Sequence, residues 1–582
     1  MGSGSSPAAR ALWRAQAATR YARRTGCDIS EAAGLLAERG AGPAHGEQGA
    51  RGGRAAHGEA GRAEVRAGLS RRQILRGAAA AGLAVAVPAG ALASPAASAA
   101  VRPDQRVVII GSGIAGLGCA FRLWARHGVA SEVYEYNPAR AGGRIDTLRG
   151  FFADGQYAEE HGEFISSEHT EMRRLAAGFG LTLDDVNAYP PHTRAAVSRF
   201  RFDGRFWPQA ALDREWHDWG FRLFYDAAFV KAPWPTLLHR HTAWARRWDH
   251  TPAPEWIERH IPGGLGSDFG RLCVAVLLDE YGGPVAEQSA LNLIYLLGSY
   301  DSAPSGRQPE SYPELSGTDE KWHIREGNDQ LIRGLISRLP AGTVRLGERL
   351  EAVRSRGHGR YTCTFSCGTA THDVHADQVV FALPFTRLRE VELRGIELPP
   401  PQLLAIREEP LGTNAKIQLQ FSRRVWNADH WTGNMYTDGI VQGGWETTVD
   451  QPGEPGILIA LPGGDPGADL GRRYGLTSYE GPAPQAMARD FLAGFDQNFP
   501  GAREAYNGRA YYAWSAGDPH IGGAYSYLKT GQYTAFNGIQ GRPSGNLHFA
   551  GEHTSVNFQG YMEGALRSGY RCAAEIASRK TA

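Results

Sequence analysis

The sequence predicts an α/β fold, and three observations in one short stretch predict it. Val107–Ile110 is a β-branched run of the kind that forms a buried strand. Gly111-Ser112-Gly113-Ile114-Ala115-Gly116 follows directly and leads into a helical stretch to His127. Val133-Tyr134-Glu135 then reads as a second strand, ending in an acid 24 residues beyond Gly111. Strand, glycine turn, helix, strand and acid in this order make a βαβ unit with parallel strands.

Each part of that unit has a physical task. Gly111 permits the tight turn, Gly113 lets the backbone approach a pyrophosphate, and Gly116 lets helix and strand pack closely. The helix N-terminus at Ile114 and Ala115 offers free N–H groups and a partial positive charge to phosphate. Glu135 is placed to bind ribose hydroxyls. The unit therefore points to a dinucleotide, without separating NAD from FAD. Just beyond it, Arg140-Ala141-Gly142-Gly143-Arg144 pairs two backbone-exposing glycines with two arginines that can neutralise phosphate.

Farther along, residues 168–316 turn helical and aromatic, and seven of the 14 tryptophans lie between Trp207 and Trp256. Tryptophan carries a large apolar area, so this cluster reads as core before it reads as a substrate channel. Strand-like runs return at Val379-Val380-Phe381, Ile417–Phe421 and Leu547–Ala550, the last ahead of a C-terminal helix. Cys363 and Cys367 read as strand cysteines, and the pairs His239/His241 and His372/His375 lack a zinc-like frame, so no metal is expected.

Composition limits the rest. Hydrophobic residues make up 42% and charged residues 21% of the 582, enough to bury a core. Lys plus Arg (62) nearly cancels Asp plus Glu (61), which gives no electrostatic reason to expect a nucleic-acid partner. Residues 1–69 are rich in Ala, Gly and Arg and read as a disordered extension. In residues 70–100, Arg71-Arg72 precedes the apolar run Gly77–Ala93 and the small residues Ala97 and Ala99. That pattern is expected to act as a twin-arginine export signal, giving a secreted or periplasmic protein. The apolar run is too short for a stable membrane anchor.

Several segments together resemble the flavin amine oxidase family, which covers monoamine, polyamine and L-amino-acid oxidases. Arg140–Thr147 resembles its R-x-G-G-R-x-x-T segment, and Ala158–Ile165 resembles its segment near the flavin ring. Gly327–Leu331, Ala376–Pro384, Gly551-Glu552-His553-Thr554 and Gly560-Tyr561-Met562-Glu563-Gly564-Ala565 resemble further pieces of the FAD domain. The resemblance covers most of residues 104–577. It implies a Rossmann-like FAD-binding domain (101–165, 318–400 and 541–582) interleaved with an α+β substrate-binding domain (166–317 and 401–540). The substrate domain would carry the helical, Trp-rich insertion. Beyond the glycine motifs and Glu135, the implied cofactor-binding set takes in Leu350, Gly551, Glu552, Gly560, Tyr561 and Met562.

What the resemblance implies chemically is hydride transfer from an amine-bearing carbon to the flavin, followed by imine hydrolysis, with O2 reduced to H2O2. Only the neutral amine reacts. For an alkylamine of pKa about 10.4, deprotonation at pH 7 costs about 4 kcal/mol, which a dry pocket lowers. The site is therefore expected to be aromatic rather than acidic. Tyr525 and Tyr561 are expected as walls of an aromatic cage, and Trp514 beside the ring. Lys416 is expected to hold a water against the flavin and assist O2 reduction. Ala524 stands where some monoamine oxidases carry the cysteine that links FAD, so FAD is expected to be non-covalent. Phe164 stands where several L-amino-acid oxidases place an arginine for the substrate carboxylate. Primary amines are thus the first expectation, L-amino acids the second, and a flavin desaturase or isomerase that does not use O2 the third. The sequence sets no oligomeric state, and a homodimer is kept open.

Overall fold

The β-branched run, the strand that ends in Glu135 and three later segments assemble as one sheet in the computed structural model. This structure describes residues 105–188, 198–298, 319–429 and 431–578. The proposed extension (1–69) and export signal (70–100) lie outside the described residues. All five strands of this sheet run parallel, in the order Leu547–Phe549, Gln378–Phe381, Val107–Ile110, Ser131–Glu135 and Val344–Leu346. Val107–Ile110 is central and wholly buried, which is why it reads as continuous apolar sequence rather than as an alternating pattern.

Gly111 turns the chain from that strand into the helix Ile114–His127 with φ +100°, a conformation that side chains disfavour. A Cβ on Gly111 would lie 2.5 Å from the Ala382 carbonyl oxygen, so the turn fits only a residue without one. The C-terminal helix Met562–Ser578 crosses the Ile114–His127 helix so closely that a Cβ on Gly569 would stand 2.1 Å from the Ala115 oxygen.

In a second, eight-stranded mixed sheet Ala415–Phe421 is an interior strand, flanked by Tyr506–Trp514 and Gly456–Ala460. The sequence Ala-Lys-Ile-Gln-Leu-Gln-Phe alternates, and every residue of it is buried. Ala415, Ile417, Leu419 and Phe421 enter an apolar core with Phe491 and Phe495. Lys416, Gln418 and Gln420 face the other way and bond to the segment 153–163. The strand thus welds a polar face onto the segment that follows the glycine pair.

The region 168–316 is not purely helical. Arg199–Phe202 and Arg205–Trp207 extend the eight-stranded sheet, and Leu183–Asp185 pairs with Trp322–Ile324. Helices Asp268–Tyr281 and Ala290–Gly298 add ten and nine buried residues to it. Trp207, Trp216, Trp234, Trp248 and Trp256 are buried in the large core, as expected of packing residues. Cys363 and Cys367 lie on the strand Tyr361–Cys367. Among the described residues, no helix is long and apolar enough to cross a membrane.

Candidate active site

One cavity runs from the Gly111 turn, past the Gly142-Gly143 pair, to the aromatic residues Phe164, Trp445, Tyr525 and Tyr561. At the first end lie Gly111, Gly113, Ile114, Ala115, Glu135 and Leu350, with Arg140, Gly142, Gly143 and Arg144 beyond them. Gly551, Glu552, Gly560, Tyr561 and Met562 also line it. The carboxylate of Glu135 accepts hydrogen bonds from the Ser112 amide (2.8 Å), the Ser112 hydroxyl (2.7 Å) and the Asn137 amide (2.8 Å). Glu552 ties three segments together, accepting from Ser526 Oγ and the Gly560 amide at 2.7 Å each and from Arg144 at 2.9 Å.

One sequence expectation needs correction. Trp514 does not line the cavity. It ends the strand Tyr506–Trp514, donates its indole N–H to the Gly467 carbonyl at 2.9 Å and packs its ring on Gly471 and Gly517. The same segment reaches the cavity through Ser515 and Asp518 instead. Gly116, grouped with the cofactor-binding glycines, is off the lining as well, and its expected task of close helix–strand packing holds. A Cβ there would meet the Gly111 oxygen at 2.0 Å, so this glycine serves helix–strand packing behind the wall.

At the aromatic end, the Tyr525 hydroxyl donates to the Asp279 carbonyl, and Tyr561 meets His169 edge-on at 4.7 Å between centroids. Burial, then the charges of Asp279, Glu280 and Glu320, push the Tyr525 phenol well up, so it stays neutral. Phe164 packs against Trp445 at 5.8 Å. The end is not purely aromatic, however. Asp279, Glu280 and Glu320 also line it, which the emphasis on an apolar slot did not anticipate.

Lys416 is 6% exposed and lines the cavity, so it is no surface lysine. Its ammonium donates to Glu163 Oε2 at 2.5 Å and to the Glu159 carbonyl at 3.2 Å, with the Trp445 ring 5.5 Å away. Glu163 Oε1 in turn accepts from Thr447 Oγ1 (2.6 Å) and Trp445 Nε1 (3.0 Å). Burial alone would raise the Glu163 carboxyl, but the Lys416 charge, the hydrogen bonds from Lys416 and Thr447 and the nearby His323 together outweigh it and hold the group below its ordinary value. Sequence reasoning gave Glu163 no role and placed Trp445 and Thr447 in no motif. The one available signal was a charged residue directly after Gly162.

The donor set fits a large, hydrogen-bonding planar ligand with phosphates. His161 Nε2 and both ring nitrogens of His553 are buried at the cavity wall with no hydrogen-bond partner among the described residues. Burial lowers both imidazoles, His553 to about 4, so both are neutral near pH 7. Above Gly113 the space is open, since a Cβ there would meet nothing nearer than the Gly142 oxygen at 4.0 Å. Each of the five Arg and Lys side chains on the wall already has an acidic partner. Arg140 pairs with Asp146, Arg144 with Glu552, and Lys416 with Glu163. Arg349 pairs with Glu351, and Arg387 with Glu390.

Residues 114–577 match the family described as flavin-containing amine oxidoreductases. Flavin-containing amine oxidase A of Sus scrofa is 24% identical over 484 residues, covering 81% of this chain and 84% of that protein. An L-amino acid dehydrogenase of Synechocystis sp. is 24% identical over 505 residues, covering 81% and 94%. Among solved structures, putrescine oxidase bound to putrescine aligns with a TM-score of 0.65 at 20% identity, covering 82% of this chain and 99% of that one. Cyclohexylamine oxidase from Brevibacterium oxydans aligns with a TM-score of 0.65 at 21% identity and the same coverage.

Proposed function

Because this chain belongs to the flavin-containing amine oxidoreductase family and is an FAD-dependent amine oxidase, we propose that it oxidatively deaminates a primary amine with O2 as the final acceptor. One amine, one O2 and one water give an aldehyde or ketone, ammonia and H2O2. FAD, when bound, supplies the two-electron acceptor. The Gly111 turn, the Ile114 helix N-terminus and Gly142-Gly143 would hold its dinucleotide part, and the Tyr525–Tyr561 end would receive the amine.

The chain's own residues do the rest. Tyr525, Tyr561, Phe164 and Trp445 exclude water from the nitrogen, which favours the reactive uncharged amine. Tyr525 is fixed by its bond to the Asp279 carbonyl and stays protonated. Lys416 would stand at the reacting face, where its positive charge favours the negative charge that builds on O2 as it accepts electrons. Ala524 in the position of a linking cysteine supports non-covalent FAD.

The observation that carries the choice of amine over amino acid is the pairing of every Arg and Lys on the wall. A substrate carboxylate needs a positive partner, and a bidentate arginine serves best. Here Phe164 stands in the arginine position, and three carboxylates line the same end. An H2O2-coupled screen of primary amines against L-amino acids tests the reading. Turnover of amines with little or none of amino acids is expected, and preferred turnover of amino acids would reverse it.

A further inference from the structure

We propose that Glu163 is a positioning residue for Lys416, fixing the ammonium as a charged group at the reacting face. The inference rests on the placement of FAD at this wall proposed above. Its ground is a three-sided clamp. Glu163 Oε2 meets the Lys416 ammonium at 2.5 Å, while Trp445 Nε1 and Thr447 Oγ1 hold Oε1 from the neighbouring segment. All the donors to this carboxylate are buried, so the carboxylate cannot turn away without leaving a buried group unsatisfied. The Glu159 carbonyl takes a second Lys416 proton, which fixes the direction of the ammonium.

The clamp matters because a buried ammonium is costly without a partner. Arg140, Arg144 and Lys416 all act on His161 as like-signed neighbours, and His323 acts on Glu163 as an opposite charge. The His323 charge is itself spent on Glu159 and Asp450 at 2.9 and 3.1 Å. Among the described residues, Glu163 is the one carboxylate in direct contact with the Lys416 ammonium. Without it, burial would favour the uncharged amine. The lysine would then lose the charge that favours electron transfer to O2.

The test is stopped-flow reoxidation of the reduced holoenzyme by O2 from pH 6 to 9, read beside a pH titration of the visible spectrum of the oxidised holoenzyme. Wild type is expected to give a flat rate and a constant spectrum. In Glu163→Gln the rate is expected to fall about tenfold or more between pH 7 and 9, since one pH unit is tenfold in protonation beyond a group's midpoint. A spectral step is expected over the same range, absent from the double variant Glu163→Gln with Lys416→Met. Glu163→Asp, which keeps the charge, is expected to restore the flat profile. A flat rate and an unchanged spectrum in Glu163→Gln would overturn the inference. If Lys416→Met also reoxidised at the wild-type rate, the placement of Lys416 at the reacting face would fall with it.

Discussion

Replacing Lys416 with methionine removes one charge from a buried pair and strands the other. Deleting one partner of such a pair costs about 3–5 kcal/mol. Two neutral donors, Trp445 and Thr447, remain on the Glu163 carboxylate, so the lower end applies, about 3 kcal/mol. One kcal/mol moves Tm by about 2–4 °C in a domain of 150–250 residues, and by roughly half that in a chain about twice as long. Lys416→Met is therefore expected to lower Tm by roughly 3–6 °C at pH 8. The loss depends on pH in a definite direction. In the native protein Glu163 is held below its ordinary 4.5 despite burial, so its contribution is present above that pH and is lost as pH falls through the lowered value. In the variant burial acts without the lysine and raises the carboxyl, so the penalty is smallest near pH 4.5 and grows as pH rises. Differential scanning calorimetry of wild type, Lys416→Met and the double variant with Glu163→Gln at pH 5 and pH 8 measures this. The double variant is expected to regain most of the loss. Equal Tm values at pH 8, or a double variant no better than the single one, would refute the reasoning. Flavin reoxidation should slow in Lys416→Met far more than FAD binding weakens, which stopped-flow and equilibrium dialysis separate.

Other positions give sharper yes-or-no outcomes. Gly111→Ala places a Cβ 2.5 Å from the Ala382 oxygen at φ +100°, and strain of about 1–3 kcal/mol should weaken FAD retention by about fivefold to 150-fold, read from the dissociation constant. Acid precipitation should leave the flavin in the supernatant, because Ala524 offers no sulfur for a link. Burial alone would lower His323, but hydrogen bonds to Asp450 and Glu159 raise it to about 10. Its contribution to stability is full below about pH 6.5 and lost as pH rises through about 10, so His323→Gln should flatten the decline of Tm between pH 7 and 10. Tyr525→Phe loses the bond to the Asp279 carbonyl and should raise KM for amines more than it lowers kcat.

The parts of this molecule written in local sequence were the parts that could be read from it. A central parallel strand must be apolar throughout, so Val107–Ile110 announced itself, and the tight turn after it admits only glycine at position 111. Lys416 was legible because a lysine within an alternating strand has to find a partner once buried. Its partner was not, because Glu163 meets it only through folding, 253 residues away in the chain. The same holds for Trp445 and Thr447, which lie in no motif and matter by position alone. Trp514 was misplaced because it sits at the end of a strand, where one residue decides which face a side chain meets. The acids Asp279 and Glu280 lie on the buried side of a helix whose sequence reads as ordinary core, so nothing nearby marked them as cavity residues.

The most direct measurement is anaerobic titration of the purified holoenzyme with a primary amine, followed by admission of air, with the visible flavin bands recorded throughout. Bleaching by the amine, with the colour and an equivalent of H2O2 returning in air, is expected if the cavity seats FAD against an amine-binding aromatic end. A colourless protein that takes up no FAD, or a yellow one that no amine bleaches, would contradict it.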